Sequence, residues 1–541
     1  MMKKYLASLF LLFSVAADAR VVTGDVSKPM QFDKVGWNKV LMLHSGNTVL
    51  VHVEAAKMDL KIFDTAHKEV VHREYSAKDF DHKWMRSFSF KGLLELNGEI
   101  VLFSGNVFGN KKSLLRIVFD AGSGAVKDEQ VMLADGYGGE ENSYYLLPEH
   151  SGGFSVLSFR DIIKHPQASI TLYRYNDHDS LTSTIPIHLA YRAAYKMMVL
   201  AAGVSDADDI YFVSAVTGVI GKGTEFRQNH HQVAFSILEH GTTSVRSKTI
   251  DLPDVPFQPA PVRDPVTGDM DAPPAHEQFP FATGYDYDVR GRKLNVILVD
   301  PTIVFSSNPT TGNSMRRSCV YNLYSVYAAD MTIDSTSVKF DAANAHIKEK
   351  QGPAAGYQAI PTVLLSRSGG LTLLSENYGD VRVNEMMVSH FDEHNVQRSV
   401  SFIAWQKFTG TYSRPEDLYY ANNPIYDMPM SQYDGIRCYS TDSLIYIFCN
   451  ENNIISDPAN PGRIPRYEPA NAYCYIVNNY GEAEKSLPFG TPAKDEKLAM
   501  LMESAHLDPV RHTFACLIQS RRGDLTDYHV AWCYVTNFIV K

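Results

Sequence analysis

The stretch "EIVLFSGNVFGNKKSLLRIVFDAGSGAVKDEQVML", residues 99–133, decides how this chain is read. It opens on a short, very apolar run, "EIVLFSG", crosses a loop, and resumes as the mixed run "LLRIVFD". "DAGSGA" follows, a turn whose Asp and Gly residues tolerate left-handed backbone at little cost. "AVKDEQVML" then returns as a more polar run. β-branched and aromatic residues carry the runs and no 3.6-residue stripe persists, so the pattern is strand, turn, strand.

The same order recurs about eight times along the chain. The apolar second strands read "TVLVHVE", "EIVLFSG", "FSVLSFR", "IYFVSAV", "NVILVD", "LTLLSEN", "LIYIFCN" and "TFACLIQ". The third strands read "DLKIFD", "LLRIVFD", "SITLYRY", "VAFSILEH", "CVYNLYSVY", "MMVSHFD", "YCYIVNN" and "VAWCYV". Turns such as "DTAHKE", "NDHDS", "EHGTT", "DEHN" and "NNYGEA" end them before a polar fourth strand. Four antiparallel strands per unit, at roughly 50–85-residue spacing, are the sequence form of an all-β β-propeller of seven to eight blades. One four-stranded blade cannot bury both its faces, whereas blades packed radially do so. A tandem of β-sandwiches, which would want Greek-key crossings, and a right-handed β-helix are the rivals. The tight turns read instead as consecutive hairpins.

After "VAWCYVTNFIVK" no fourth strand remains, while the N-terminal "RVVTGDVSKPMQF" holds an unassigned strand-like run at Val21-Val22. The economical expectation is that this segment completes the last blade, so that strands from both ends of the chain close the ring. Ahead of it, "MMKKYLASLFLLFSVAADA" has two lysines, an apolar run and the small-x-small pattern Ala17-Asp18-Ala19. That is the form of a secretory signal over residues 1–19, too short for a permanent anchor. Residues 20–541 are then expected as one propeller domain, periplasmic or extracellular, without a transmembrane segment. The formal charge is −10, and about −11 once two Lys and one Asp leave with residues 1–19. A mildly acidic balance argues against nucleic acid or anionic lipid as main partner.

Cys319, Cys474 and Cys533 fall on third strands, Cys449 and Cys516 on second strands, and Cys438 on a first strand. A small apolar side chain suits such positions between blades. An oxidising compartment would also permit cross-strand disulfides Cys449–Cys474 and Cys516–Cys533. No spacing of Cys and His suggests zinc, and neither a metal site nor a cofactor is expected.

Loops joining second to third strands open on one face of a propeller, together with the inter-blade segments. Here they are long from the fourth unit onward, as in "NENNIISDPANPGRIPRYEPAN", and the inter-blade stretch 251–280 holds eight prolines, which bars it from being a central strand. Polar residues stand where second strands run out toward that face: Arg160, Asp161, Asp300, Glu376, Asn377, Tyr378, Asn450, Glu451, Arg521 and Arg522. They are the candidate ligand-binding residues, set against the plainer reading of loop caps and blade-to-blade ion pairs. Asp300 with Glu376 is the candidate acid/base pair for glycoside chemistry. "NHHQ" (His230, His231) reads as packing, since neighbours on a strand point to opposite faces. "SDADD" (Asp206, Asp208, Asp209) reads as a hairpin turn, and "DPVTGDMD" (Asp264, Asp269, Asp271) lacks the spaced ligands of a calcium loop. Signatures of serine hydrolases, zinc proteases and phosphate loops are absent from the sequence.

In the sixth unit, "IPTVLLSRSGGLTLLSENYGDVRVNEMMVSHFDEHNVQRSVSFIAWQK" carries Glu376, Tyr378, Asn384, Glu385, Asp392 and Trp405. This stretch resembles uncharacterised secreted β-propeller-like proteins of Gram-negative bacteria. The resemblance implies the fold and an envelope location, and no activity. "DEHN" lacks the glycine usual in that turn of the family. The function expected is a ligand-binding or protein-interaction scaffold using the loop-rich face, monomeric, with a protein or glycan partner. The alternative is a carbohydrate-active enzyme, a glycoside hydrolase or lyase, with carboxylates in an axial pocket.

Overall fold

A computed structural model describes residues 20–32, 36–54, 57–76, 89–108, 111–134, 142–160, 170–189, 196–220, 228–252, 255–256, 282–288, 292–299, 321–338, 340, 346, 358–367, 370–378, 382–408, 436–441, 443–455, 466–494, 496–523 and 525–536. Among these residues the regular elements are all β-strands, and no helix is long and apolar enough to cross a membrane. The strands form eight four-stranded antiparallel sets, each hydrogen-bonded in chain order or nearly so. The chain is therefore an all-β protein of the propeller class, and the sets are its blades. They belong to two compact units, one of residues 1–75 with 431–541 and one of residues 76–430.

The unit of residues 76–430 holds blades 2 to 6. Blade 2 is Ser89–Leu96, Glu99–Phe108, Lys111–Asp120 and Val126–Ala134. Its first turn is Asn97-Gly98, both with positive φ (49° and 73°), the geometry that matches strand twist in a two-residue hairpin. Ile100, Val101, Leu102 and Phe103 are all buried, so the second strand is covered on both faces. That is why "EIVLFSG" is apolar without alternation. The second strands of blades 3 to 6 are Phe154–Arg160, Ile210–Ile220, Lys293–Val299 and Gly370–Tyr378. Fourth strands such as Arg246–Asp251 are half-buried to exposed. The core is a series of apolar layers between blades: Phe103 and Leu114 meet Tyr144 and Phe154, and Leu157 and Phe159 meet Met197 and Phe212. A further layer joins Phe235, Val296, Leu323 and Leu371.

The third-to-fourth turns are built alike because their chemistry is alike. Asp64, Asn176, Asp392 and Asn478 each accept, at Oδ1, the N–H groups two and four residues on, at 2.9–3.0 Å. The residue three positions on is left-handed: His67, Asp179, Asn395 and Gly481, with φ of 59°, 59°, 59° and 82°. Asn395 thus fills the place of the glycine that "DEHN" lacks; Asn adopts this conformation more readily than most residues. In "SDADD" the serine takes the capping part. Ser205 Oγ accepts from Ala207 and Asp209 N–H, and Asp208 is left-handed. The Asp208 carboxylate accepts the His150 and Ser151 amides of blade 3, and that of Asp209 accepts the His240 amide.

The other unit holds blades 1, 7 and 8. Blade 1 is Trp37–Met42, Thr48–Glu54, Lys57–Phe63 and Glu69–Ser76. Blade 7 is Arg437–Ser440, Leu444–Ile455, Arg466–Asn478 and Ala483–Ser486. Blade 8 is Glu496–Asp508, Thr513–Arg522 and Leu525–Thr536, completed by Arg20–Val26 from the other end of the chain. Val21 stands opposite Val535, Val22 opposite Tyr534 and Thr23 opposite Cys533. The terminal strand pairing expected from the sequence is present. A bulge between Thr23 and Val26 brings Gly24 so near the last blade that a Cβ there would lie 2.3 Å from the Trp532 carbonyl oxygen. Trp532 in turn donates Nε1–H to Thr48 Oγ1 of blade 1 (3.0 Å), stacks on His67 and meets Phe63 edge-on. Burying a side chain such as Phe63 contributes about 1.5–3 kcal/mol. Blades 7 and 8 share one mixed sheet through a single parallel contact, Asn471 opposite Leu498.

The disulfides expected from the sequence are not formed: Cys438, Cys449, Cys474, Cys516 and Cys533 are free thiols. Register explains it. Cys449 stands opposite Tyr473 and Cys474 opposite Phe448, so the two thiols leave opposite faces of the sheet. Cys516 stands opposite Ala531 and Cys533 opposite Phe514, which makes them diagonal rather than facing neighbours. Diagonal Cβ atoms are too far apart for the S–S bond. Cys474, Cys516 and Cys533 instead pack in one apolar layer with Phe448 and Phe514. Cys319, the segment 257–281, and Asp264, Asp269 and Asp271 lie outside the described residues.

Candidate functional site

The residues expected at the loop-rich face do not share one fate. Asp161 and Asp300 lie outside the described residues, so the Asp300–Glu376 pair has no described geometry. Arg160 ends the second strand of blade 3, opposite Asn142. In blade 6, Asn377 stands opposite Glu385 and Tyr378 opposite Val383. Glu376 stands opposite Met386 and is 3% exposed. Glu385 leaves the other face of the blade, where it pairs with His346 Nε2 at 3.2 Å, and His346 stacks on Phe402.

Blade 7 engages its candidates internally. Asn450 is 4% exposed and turned into the contact with blade 8. Its amide donates to the Met500 carbonyl (2.7 Å), and its oxygen accepts the Met500 N–H (2.8 Å). Glu451 accepts from Lys485 (2.7 Å) and from the Tyr475 hydroxyl. Lys485 lies over the Tyr473 ring, 3.7 Å from its centroid. Burial, and then the bond to Glu451, push the Tyr475 hydroxyl well above its ordinary range. In blade 8, Arg521 donates to the Gly523 carbonyl, and Arg522 pairs with Glu496 at 3.2 Å on the surface.

A second group, which sequence reasoning missed, gathers on the first strands of blades 7, 8 and 1. The first strand of blade 8 carries a large bulge. From Leu501 to His506 it advances five residues while its partner goes from Leu517 to Ala515. Ser504 holds the bulge, donating to the Leu501 carbonyl (2.6 Å) and accepting the Leu517 N–H (2.8 Å). The hydroxyl thus replaces a ladder bond that the extra residues break. The bulge turns the Glu503 and Ala505 carbonyls to Lys39 of blade 1, whose ammonium donates to each at 3.1 Å. His506 Nδ1 accepts the Met42 N–H of blade 1 at 3.1 Å.

The electrostatics of this group are unusual for the chain. Burial first, and then the charge of Arg437, bring the Lys39 ammonium down to about 7, against the opposing pull of Glu503. Arg437, from blade 7, is likewise lowered by burial and supported by Glu503. Yet the Arg437 residue is solvent-exposed, and its guanidinium donates to its neighbour Ile436 O at a long 3.4 Å. Exposed area together with strong desolvation places it in a concavity rather than on an open surface. His506 is held near 4 by burial and then by the Lys39 charge, so it is neutral at pH 7, as its acceptor role requires. Two cations, one carboxylate and a neutral imidazole are thus fixed by backbone geometry at the inner strands of three blades.

No protein-family model matches the chain, and no curated protein matches it. Among solved structures it is similar to the WD40 domain of SCAP from fission yeast, with TM-score 0.35 and 8% identity over 94% of this chain and 98% of that one. It is similar to the Synechocystis apocarotenoid oxygenase, with TM-score 0.34 and 7% identity over 95% and 93% of the two chains. A prolyl endopeptidase gives TM-score 0.37 and 9% identity over 93% of this chain, which spans 55% of that protein's length. Likeness at this level assigns no activity, and the propeller class rests on the strand order.

Proposed function

We propose that this chain is an exported propeller that binds a ligand without transforming it. The observation that carries the reading is the inner-strand group of Lys39, Arg437 and Glu503. Its polar atoms are positioned by a bulge whose own hydrogen bonds are satisfied. Such convergent polar groups in a concavity are the form of a binding site. The rim carboxylate Glu451 is engaged internally and Glu376 is buried, which favours binding over glycoside chemistry. A glycan or a polypeptide suits a scaffold of this type, and a monomer suffices for it. Export rests on residues 1–19, and the closing strand begins at Arg20, directly after the expected cleavage point.

Two measurements test the reading. N-terminal sequencing of protein recovered from the periplasm or medium should return Arg20-Val21-Val22. Glycan and peptide arrays probed with that protein should give saturable binding with no change in the bound molecule. Turnover of any arrayed glycan, abolished by Glu376→Gln, would move the chain to the enzyme class.

A further inference from the structure

The inner strands of blades 7, 8 and 1 suggest what kind of ligand is held, and the inference deepens the binding reading and rests on it. We propose that Lys39 and Arg437 together form a site for an oxyanion group, the carboxylate or phosphate of a small or terminal moiety.

Four observations converge on that chemistry. The first is donor capacity. An ammonium has three donors, and the Glu503 and Ala505 carbonyls take two of those on Lys39, which fixes its direction and leaves a third. A guanidinium has five, and among the described residues Arg437 commits one, at 3.4 Å, to Ile436 O. A planar fork next to an oriented ammonium is matched to a group with several acceptor oxygens.

The second is charge balance. Glu503 is the carboxylate that favours both cations, and each cation is desolvated. Two positive groups in a concavity against one negative leave an excess that a bound anion would neutralise. The chain as a whole carries −10, so this excess runs against the molecule's general field and draws anions locally.

The third is the bulge. Three extra residues in an inner strand cost ladder bonds, and Ser504 is spent restoring one. What the distortion achieves is the aim of two carbonyls at Lys39. Bulges that re-aim side chains recur beside functional sites. The fourth is His506, which Met42 N–H holds as an acceptor at Nδ1. Kept neutral, it adds no third positive charge to the cluster.

The test is isothermal titration at pH 6.5 and low salt with three probes: glucuronate, inorganic phosphate and neutral glucose. Wild type should bind glucuronate or phosphate and not glucose, and which of the two binds tells a carboxylate site from a phosphate site. Arg437→Gln and Lys39→Met should each weaken that binding about tenfold or more, as expected for bonds to charged groups. Glu503→Gln keeps the carbonyl that orients Lys39 and removes the competing negative charge, so it should bind the anion several-fold tighter, about threefold to tenfold. That gain separates an anion site from a structural ion pair, which Glu503→Gln would simply weaken. The inference is overturned if wild type binds neither anion at millimolar concentration, or if binding survives Arg437→Gln and Lys39→Met unchanged in folded variants. If anions fail while an arrayed neutral glycan or peptide binds, this inference falls and the binding reading stands. Failure of every probe and array removes both.

Discussion

Replacing Asn450 by Ala would test how blades 7 and 8 are held together. Their sheets meet by one parallel contact, Asn471 opposite Leu498, and Leu498 N–H donates to the Asn471 side chain. Asn450 adds the other tie, bonding both the N–H and the carbonyl of Met500, a residue 0% exposed. The truncation leaves two buried backbone groups without that partner. Each such group costs about 1–3 kcal/mol, so the interface should lose roughly 2–5 kcal/mol. In a chain of this size an unfolding midpoint mixes several events, and local hydrogen exchange is the better assay. Met500 amide exchange should accelerate from about thirtyfold to a thousandfold or more, at tenfold per 1.4 kcal/mol. Amides of the Thr513–Arg522 strand should stay within about threefold, since their partners lie inside blade 8. Asn450→Asp keeps an acceptor for the Met500 N–H and should fall between the two. If Met500 exchange in Asn450→Ala stays within about threefold of wild type, the side chain is no clamp, and the reasoning that moved Asn450 from rim to interface is wrong.

Three other outcomes follow from the same geometry. Lys39 has a folded-state pKa of about 7 against 10.5 for the free side chain, in the company of Arg437, Glu503, His506 and Asp508. Between those values the unfolded chain holds the proton and the folded one does not, so stability should rise from pH 7 to 9, by at most ~2.5 kcal/mol relative to Lys39→Met, read as the difference in urea midpoints. Anion affinity should fall over the same window, because the charged ammonium is lost. Gly24→Val should open the terminal pairing, since its Cβ has 2.3 Å to the Trp532 carbonyl, and limited proteolysis should then cut near residue 24 while wild type resists. Finally, at least five thiols should react with a thiol reagent in denaturant without prior reduction, and dithiothreitol should leave the melting temperature unchanged.

Sequence alone determined whatever depends on near neighbours. Strand identity, the unbroken apolar second strands and the Asx-capped turns all follow from side-chain alternation and from bonds spanning four residues. Even the pairing of the two termini was legible, because one blade lacked a strand and one strand lacked a blade. Tertiary structure decided which faces and ends those strands present to one another. A one-residue difference in register sends Cys449 and Cys474 to opposite faces, and no spacing in the sequence reports it. "AMLMESAHLD" reads as continuous strand; Glu503-Ser504 inside it is the one polar interruption that hints at the bulge. Lys39 meets the carbonyl of Glu503 across 464 residues of chain, and Arg437 stands on a third strand. Each is a lone charge in its own stretch, and only the packing of separate blades makes their charges one site.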